Sequence, residues 1–273
     1  MNKRLIKTTL IKFFGDNFTA YLHGLRFAYI VKTQKYLEDE PEIDLLPHLL
    51  KSGDIAIDVG ANGANWTYAL SKIVGEEGQV FAFEADPYYA KTTSVAIHIL
   101  RLKSITMFPF GLSDNNEQVA LQTTDIAGNR LSGTSHIRKN LSSSEPGLVT
   151  IKVKKLDSLL DEIPGLTKTK LIKCDVEGYE LYVFKGARKL LKKARPYVIL
   201  EVGNYEKQGY SAKDVFDFFY NLNYAAFSMV PGNKISPTDK TLKNDRAISE
   251  NRMMIPKEKV DRIKHLTVAT AQS

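Results

Sequence analysis

Short apolar runs alternate with longer amphipathic segments along most of this chain, beginning at about residue 54. A short apolar run is typical of a buried strand, whereas apolar residues spaced three or four positions apart are typical of a helix. The runs predict strands at 54–59, 79–84, 105–110, 170–174, 197–202, 224–230 and 251–256. The segments between them predict helices at 65–74, 87–103, 179–193 and 211–221. This alternation indicates an α/β fold with a mostly parallel central sheet flanked by helices.

One connection departs from this rhythm. Between Leu112 and Lys170, residues 118–122 and 148–154 alternate between apolar and polar, and they enclose a polar, glycine- and serine-rich stretch at 127–147. Because strict alternation is typical of half-buried strands, the pattern predicts an inserted β-hairpin with a long loop. Loops of this length are commonly either functional lids or irregular surface segments, and the sequence leaves both alternatives open.

We expect one main domain, because neither a linker nor an internal repeat divides the chain. The predicted boundaries are a helical cap or lid at residues 1–50, the α/β domain at 51–260 and a tail at 261–273. Residues 3–14 mix apolar residues with four basic ones. This mixture favours a helix packed on the domain, with peripheral membrane contact through a basic amphipathic helix as the alternative. No apolar run reaches the roughly 18 residues that a membrane span needs.

Composition narrows the function classes. The formal net charge of +7 permits an acidic partner, but the basic run at 185–195 lacks interleaved aromatic residues that stack on bases, so we expect no nucleic acid. Cys174 is the single cysteine. It therefore excludes an internal disulfide and a cysteine-rich metal cluster, and it favours a reducing compartment, namely the cytoplasm. The sequence does not indicate an oligomeric state.

The turn after the first predicted strand carries candidate chemistry. It reads Asp58-Val-Gly-Ala-Asn-Gly-Ala-Asn65, and in a doubly wound sheet ligands bind at such strand ends. Glycines there let the backbone approach a ligand closely. A dinucleotide fingerprint would have its first glycine where Asp58 stands. Because a carboxylate repels a pyrophosphate and attracts a cation, the turn favours S-adenosylmethionine, which carries an ammonium and a sulfonium group.

The second predicted strand ends at Glu84, a little over twenty residues after the glycine turn. A carboxylate at this position can accept hydrogen bonds from both hydroxyls of a ribose. Its structural alternative is a carboxylate that complements the dipole of the helix beginning at Pro87. We predict Glu84 as the ribose ligand.

A third cluster, Lys170-Leu-Ile-Lys-Cys-Asp-Val-Glu-Gly-Tyr-Glu180, places Asp175 and Glu177 at the carboxyl end of a strand. Strand alternation sends Lys173 and Asp175 to one face and Cys174 to the other, which predicts a buried, unreactive thiol. Methyl transfer to a hydroxyl needs alignment of the nucleophile and removal of its proton. Asp175 and Glu177 are the candidate bases. The alternative is that Glu177 and Glu180 only stabilise the start of the next helix.

Taken together, these residues resemble a known family, the FkbM-type methyltransferases. The resemblance runs in order from about residue 54 to residue 256. It is carried by six blocks, namely Asp58-Val-Gly-Ala-Asn62, Phe83-Glu84, Gly111-Leu-Ser-Asp114, Leu156-Asp157, Ile172-Lys-Cys-Asp-Val-Glu-Gly178 and Leu200-Glu-Val202. The chain departs from the family pattern at Ala64, where a glycine is usual, and at Ala85, where a proline is usual.

The resemblance implies a Rossmann-like class I fold and an S-adenosylmethionine-dependent O-methyltransferase. Members often modify hydroxyls of sugars or natural products, so a carbohydrate or small-molecule acceptor is implied. The implied catalytic residues are Asp175 and Glu177, and the implied cofactor residues are Asp58, Gly60 and Asn62 around the methionine part, Glu84 at the ribose, and Asp114.

Three alternatives stay open from the sequence. The same sheet could serve a nicotinamide-dependent oxidoreductase, or a non-catalytic membrane-peripheral module. No metal is predicted, although Asp175, Glu201 and Asn204 would be suitable hard oxygen ligands if they converged on a divalent cation.

Overall fold

The computed structural model describes residues 3–33, 40–125, 127–131, 135–138, 147–203, 205, 208–238 and 250–268, with the backbone alone for residues 3–14. Parts of the predicted loop at 127–147, the end of the tail and Asn204 lie outside these residues, as do the side chains on which the basic amphipathic prediction for 3–14 was based. Within the described residues, no helix is both long and apolar enough to cross a membrane.

The helices are α1 Lys3–Lys32, α2 Leu46–Leu49, α3 Asn65–Val74, α4 Pro87–Leu100, α5 Glu180–Lys185, α6 Arg188–Ala194 and α7 Ala212–Tyr220. The strands are β1 Ile55–Val59, β2 Gln79–Phe83, β3 Ile105–Phe108, β4 Gly111–Leu112, β5 Glu117–Gln122, β6 His136–Arg138, β7 Leu148–Lys154, β8 Thr169–Cys174, β9 Tyr197–Glu201, β10 Tyr224–Val230, β11 Lys234–Pro237 and β12 Asn251–Pro256. Short 3-10 helices cover Pro41–Leu45, Leu156–Leu159, Leu166–Lys168 and Lys257–Leu266.

The central sheet has eight strands in the order β11-β10-β12-β9-β8-β1-β2-β3. Strands β3, β2, β1, β8 and β9 are parallel, and β12 runs antiparallel between β9 and β10. Apart from β12 and the edge strand β11, this is the doubly wound order, in which the chain reverses direction across the sheet between β1 and β8. The predicted Rossmann-like α/β class is confirmed.

Both faces of the central sheet are covered, as a mostly parallel sheet requires. Along β1, Ile57 packs into the core beneath α5, α6 and α7, where Phe184 and Phe219 are buried. Ala56 points to the opposite core, which contains Trp66 and the other apolar residues of α3. The apolar runs therefore bury side chains on both faces, which explains why they lack alternation.

The inserted hairpin is confirmed, because β5 and β7 pair antiparallel along their length. It forms a second sheet of four strands in the order β4-β7-β5-β6. Arg130, from the connection after β5, pairs with Asp16 of α1 at 3.0 Å and lies 3.9 Å from the centre of the Tyr88 ring. The insertion is thereby tied to α1 and α4.

The predicted single helix at 179–193 is wrong, because the segment is two helices, α5 and α6, separated at Gly186. A Cβ at Gly186 would lie 1.9 Å from the carbonyl oxygen of Ser113. The carboxylate of Asp157 accepts hydrogen bonds from the backbone N–H groups of Lys189 and Leu190 at 2.8 and 2.9 Å. This cap starts α6 afresh, since the first N–H groups of a helix need outside acceptors.

Helix α1 packs along α4. The Tyr88 hydroxyl lies 2.8 Å from His23 Nδ1. Phe27 reaches the turn after β1, where a Cβ on Gly63 would lie 3.3 Å from the ring. The N-terminal segment therefore borders the region where the sequence places its candidate chemistry.

Candidate active site

A cavity opens at the carboxyl ends of β1, β2 and β8. The three strands end level with one another, because Val59 pairs with Phe83 on one side and with Cys174 on the other. This is the point at which the strand order reverses, where doubly wound folds bind their ligands. The turns that follow these strands supply most of the polar lining.

Gly60 fixes how the first of these turns meets the third. Its φ is +86°, and a Cβ there would lie 1.8 Å from the carbonyl oxygen of Asp175. The N–H groups of Gly60 and Ala61 both donate to the carbonyl of Phe83, at 2.9 and 3.1 Å. Only glycine combines this left-handed conformation with so close an approach. Gly60 therefore brings all three turns together at the cavity.

Glu84 and Asn62 face each other across the first two turns. One Glu84 oxygen accepts the Asn62 N–H and the other accepts the Asp86 N–H, both at 2.8 Å. Asp86, not Glu84, caps α4 by accepting the Tyr88 N–H at 2.8 Å. Burial raises the pKa of Glu84 to about 7 in spite of these hydrogen bonds. Its side chain therefore lies at the cavity with lone pairs still available.

Asn62 has a buried side-chain oxygen without a protein partner. The residue lines the cavity and has a φ of +35°, and its carbonyl accepts a hydrogen bond from Thr93. A buried acceptor without a donor is costly, and it commonly indicates a ligand or ordered water. Asn62 thus offers a hydrogen-bond acceptor to a bound molecule.

Two predicted cofactor residues do not line the cavity. Asp58 is buried beneath the turn, where its carboxylate accepts a hydrogen bond from Thr67. Burial raises the pKa of Asp58 to about 6. Asp114 follows β4, and its Cα would lie 3.2 Å from a Cβ on Gly186, at the junction between α5 and α6. For both residues, a role in binding stays a prediction.

The turn after β8 and the end of β9 bring three carboxylates together. One oxygen each from Asp175, Glu177 and Glu201 lies within 4.8 Å of the others. The Lys173 ammonium is buried, lies 3.5 Å from Asp175 Oδ2 and donates to Asn251 Oδ1 at 2.7 Å. Lys173 and Asp175 therefore do project to the same face. The cluster has oxygen atoms suited to a divalent cation, but a nearby ammonium already offsets part of its charge.

Glu177 and Glu201 have perturbed acidities. Burial and the neighbouring Asp175 raise the pKa of Glu177 to about 7. The same two causes raise the pKa of Glu201 to about 9, and its carboxyl is hydrogen-bonded to Asp175. Both causes favour the protonated form of Glu201 beside Asp175. Glu177 is then poised to exchange its proton near neutrality.

Glu180 and Cys174 have structural positions. A Glu180 oxygen accepts the backbone N–H groups of Val176 and Gly178, at 2.9 and 3.3 Å, and so stabilises the turn before α5. The structural alternative considered for the acids of this cluster therefore applies to Glu180. Cys174 is fully buried, and burial raises the pKa of its thiol, as expected of an unreactive core cysteine.

Sequence reasoning did not single out Trp66 and Glu40. Trp66 Nε1 donates to Glu40 Oε2 at 2.9 Å, and both residues line the cavity. The Lys173 ammonium lies 5.1 Å from the centre of the Trp66 ring. Glu40 lies 26 positions before Trp66, in a segment whose pattern gave no sign of site chemistry. Only the fold reveals this pair.

Part of the cavity lining is apolar. It is formed by Phe83, Leu112, Leu121, Ile137 and Tyr179. Leu121 and Ile137 belong to the inserted sheet, so this sheet contributes to the cavity lining. A lining that combines apolar with hydrogen-bonding and acidic groups suits a ligand with a flat base, a ribose and cationic groups.

These features fit S-adenosylmethionine. Glu84 suits a ribose, the unpartnered Asn62 oxygen can accept a hydrogen bond, and the carboxylates suit a cationic ligand. A doubly wound sheet with this set of groups at its switch point defines a class I methyltransferase. The assignment to the class I methyltransferases therefore depends on the fold and the cavity together.

Comparison with known proteins identifies the family. The model of the methyltransferase FkbM domain matches residues 58–226, so the chain belongs to the FkbM methyltransferase family. The predicted resemblance, enzyme class and dependence on S-adenosylmethionine are confirmed at this level.

The chain is also similar to individual methyltransferases. The chain is 31% identical over 181 residues to the hexuronic acid methyltransferase AglP of Haloferax volcanii, covering 65% of this chain and 66% of that protein. Among solved structures, it is 14% identical to a methyltransferase FkbM from Methylobacillus flagellatus, with a TM-score of 0.46 over 90% of this chain and 60% of the other. It is 16% identical to a SAM dependent methyltransferase from Aquifex aeolicus, with a TM-score of 0.43 over 84% and 96%.

We expect the ligand-free protein to become less stable as pH rises from 5 to 8. Asp58, Glu84 and Glu180 have pKa values raised by burial to about 6, 7 and 7. Each binds its proton more tightly in the folded than in the unfolded chain, so its contribution is fully present below about pH 4 and is lost as pH rises through these values. Thermal unfolding should show the Tm falling by about 5 °C. Asp58→Asn should flatten the slope, whereas a Tm that rises over this range would contradict the expectation.

Proposed function

We propose that this protein transfers a methyl group from S-adenosylmethionine to a hydroxyl of a sugar or glycan, with Glu177 as the general base. The observation that carries the proposal is the raised pKa of Glu177, about 7, at the lining of the cavity. A general base works best when its pKa is close to the operating pH.

The acceptor class is supported by the relative and by the cavity. AglP is a hexuronic acid methyltransferase, which makes a carbohydrate the first acceptor to consider. Besides Glu177, the cavity lining includes Glu40, Asn65 and Trp66. Such groups can hydrogen-bond several hydroxyls while the indole covers an apolar face of a sugar ring.

Glu177 is the better candidate base because Asp175 is already engaged. The Lys173 ammonium lies 3.5 Å from Asp175 Oδ2, and the carboxyl of Glu201 is hydrogen-bonded to Asp175. These contacts occupy oxygen lone pairs that a base would need for the proton of the acceptor. Asp175 is then suited to orient the acceptor, and Lys173 acts as the residue that positions Asp175.

When bound, S-adenosylmethionine supplies an electrophilic methyl group on its sulfonium. In the proposed reaction, the acceptor hydroxyl donates a hydrogen bond to a Glu177 oxygen and its proton passes to that carboxylate. The bond from the acceptor oxygen to the methyl carbon forms as the bond from sulfur to that carbon breaks. Asn62 and Glu84 hold the methionine part and the ribose, and the inserted sheet excludes water.

We expect the rate of methyl transfer to depend on pH with a limb near pH 7. Glu177 must be deprotonated to act as the base, and its pKa is raised to about 7. The rate constant should therefore rise about tenfold per pH unit well below pH 7 and level off above it. Single-turnover measurements between pH 5.5 and 8.5 check this, and a rate that is flat over this range would exclude Glu177 as the base.

The function itself is tested by incubating the full chain with S-adenosylmethionine and a panel of glycosides, including hexuronides, neutral hexosides and amino sugars. We expect one glycoside class to gain the mass of one methyl group, on oxygen, by mass spectrometry with fragmentation. Stabilisation by NAD without stabilisation by S-adenosylmethionine would contradict the proposal. So would methylation restricted to acceptors other than carbohydrates.

The remaining assignments follow from this function. Residues 51–260 would be the transferase domain, and the helix at the N-terminus would be a cap, in keeping with its packing on α4. The cytoplasm is our proposal for location, since the reaction needs a cofactor made inside cells and the single cysteine is a free thiol.

A further inference from the structure

Helix α1 is apolar on two faces, one buried and one exposed. Its inner face, which includes Ala20, Gly24, Ala28 and Val31, is buried. A Cβ on Gly24 would lie 2.5 Å from Val95 of α4, so this face approaches the domain very closely. An ordinary surface helix has a polar outer face. The outer face of α1 does not follow that rule.

The outer face carries an exposed apolar stripe. Its members are 37% to 59% exposed and follow one another at helical spacing, and they are Phe18, Tyr21, Leu22, Leu25 and Tyr29. Within the described residues, the only other large apolar side chains so exposed are Ile99 and Val268. Single exposed apolar residues need no explanation, but a continuous stripe indicates a surface that contacts something apolar.

The charges around the stripe are positive. Residues 17–33 contain no aspartate or glutamate, and the exposed side chains of Arg26 and Lys32 flank the stripe at helical spacing. Lys3, Arg4, Lys7 and Lys12 precede them in the sequence, before the break in helical geometry at Gly15. Asp16, the acid immediately before this stretch, is paired with Arg130. The partner of the stripe should therefore be apolar inside and anionic at its surface.

We propose that the outer face of α1 binds an anionic lipid bilayer, with the stripe in the interfacial layer and the basic residues at the headgroups. An apolar face flanked by lysine and arginine is the pattern of helices that lie in a membrane interface. Two of the five stripe residues are tyrosines, which favour that layer because they are apolar with a polar tip. This contact of α1 with the bilayer does not depend on which molecule accepts the methyl group.

A second copy of the chain is the less suitable occupant. Two stripes packed against each other would bring Arg26 and Lys32 of both copies close together, and residues 17–33 offer no acid to neutralise them. Like charges at an interface are unfavourable. A bilayer containing anionic lipid satisfies both the apolar stripe and its cations.

The test is flotation of the full chain with vesicles of phosphatidylcholine alone and with 30% phosphatidylglycerol added. We expect binding that needs the anionic lipid and weakens with salt. The double variant Leu22→Ser/Leu25→Ser should bind at least about tenfold more weakly, since it removes two aliphatic side chains that would insert into the bilayer. Arg26→Glu/Lys32→Glu should reduce binding by at least about tenfold, because each cation contributes roughly fivefold.

Ile99→Ser is the matched control, because Ile99 is exposed like the stripe but lies on α4. It should bind vesicles as the unaltered chain does. Thermal unfolding and binding of S-adenosylhomocysteine should be unchanged in all variants, which shows that the fold is intact. Equal vesicle binding by the stripe and control variants would overturn the proposal. So would a dimer in sedimentation velocity that Leu22→Ser/Leu25→Ser dissociates while the unaltered chain ignores vesicles.

Discussion

Replacing Glu84 with glutamine should weaken the binding of S-adenosylhomocysteine by at least about 100-fold. In the unaltered protein one carboxylate oxygen faces Asn62 and the other faces Asp86, and both can accept further hydrogen bonds from two ribose hydroxyls. A hydrogen bond to a charged group contributes about 1.5–3 kcal/mol and a neutral one about 1 kcal/mol less; glutamine keeps one acceptor oxygen, so losing one bond and weakening the other corresponds to roughly 10²–10³ in affinity. Isothermal titration calorimetry measures the loss directly.

Glu76→Gln is a suitable control, since Glu76 is exposed and remote from the cavity. It should leave the affinity unchanged within about twofold. Because Glu84 also holds the two turns, the Tm of Glu84→Gln has to be recorded alongside. A folded Glu84→Gln variant that keeps its affinity would remove Glu84 as the ribose ligand.

The parts of the site that were predictable are local in sequence. Gly60, Asn62 and Glu84 follow directly from strands whose apolar runs are plain, and a strand followed by a glycine turn and a helix places its turn at the sheet edge. Asp175 and Glu177 were found in the same way, from the end of β8. Pattern and turn chemistry were sufficient because no distant residue is needed to place these groups.

The pairs that tune the site were not predictable in the same way. Lys173 donates a hydrogen bond to Asn251, which lies 78 positions later in the sequence. Glu201 contacts Asp175 only because β9 lies beside β8. Sheet order decides such contacts, and one sequence does not specify sheet order. The sequence therefore leaves both Asp175 and Glu177 as candidate bases, and our proposal of Glu177 depends on these neighbours.

The interruption of the helix at Gly186 has a similar cause. The apolar spacing from 179 to 193 continues through the break, so periodicity alone predicts one helix. What ends α5 is the approach of the backbone at Ser113, and what starts α6 is the carboxylate of Asp157. Ser113 and Asp157 both lie in other parts of the chain, and their contacts interrupt the helix although the local apolar spacing is regular.

Glu177→Gln should lower the rate constant for methyl transfer by about 10²–10⁴ while leaving the affinity for S-adenosylhomocysteine unchanged within about twofold. Glutamine has nearly the same shape and still lines the cavity, but it cannot take the proton of the acceptor hydroxyl. The limb of the pH profile near 7 should disappear in the variant, since the titrating group is gone. Single-turnover rates across pH, with the acceptor found by mass spectrometry, provide the measurement.

Asp175→Asn, compared with Glu177→Gln, distinguishes which carboxylate is the base and which one orients the acceptor. It removes the partner of the buried Lys173 ammonium, so it should lower the Tm, whereas Glu177→Gln should not. If Asp175 orients the acceptor, Asp175→Asn should raise KM and keep the limb, which should move to lower pH because the charge of Asp175 no longer raises the pKa of Glu177. The reverse pattern, with the limb lost in Asp175→Asn and kept in Glu177→Gln, would make Asp175 the base. In the mechanism that we propose, the two carboxylates have different roles: Lys173 and Glu201 engage Asp175, and the neighbouring Glu177 takes the proton.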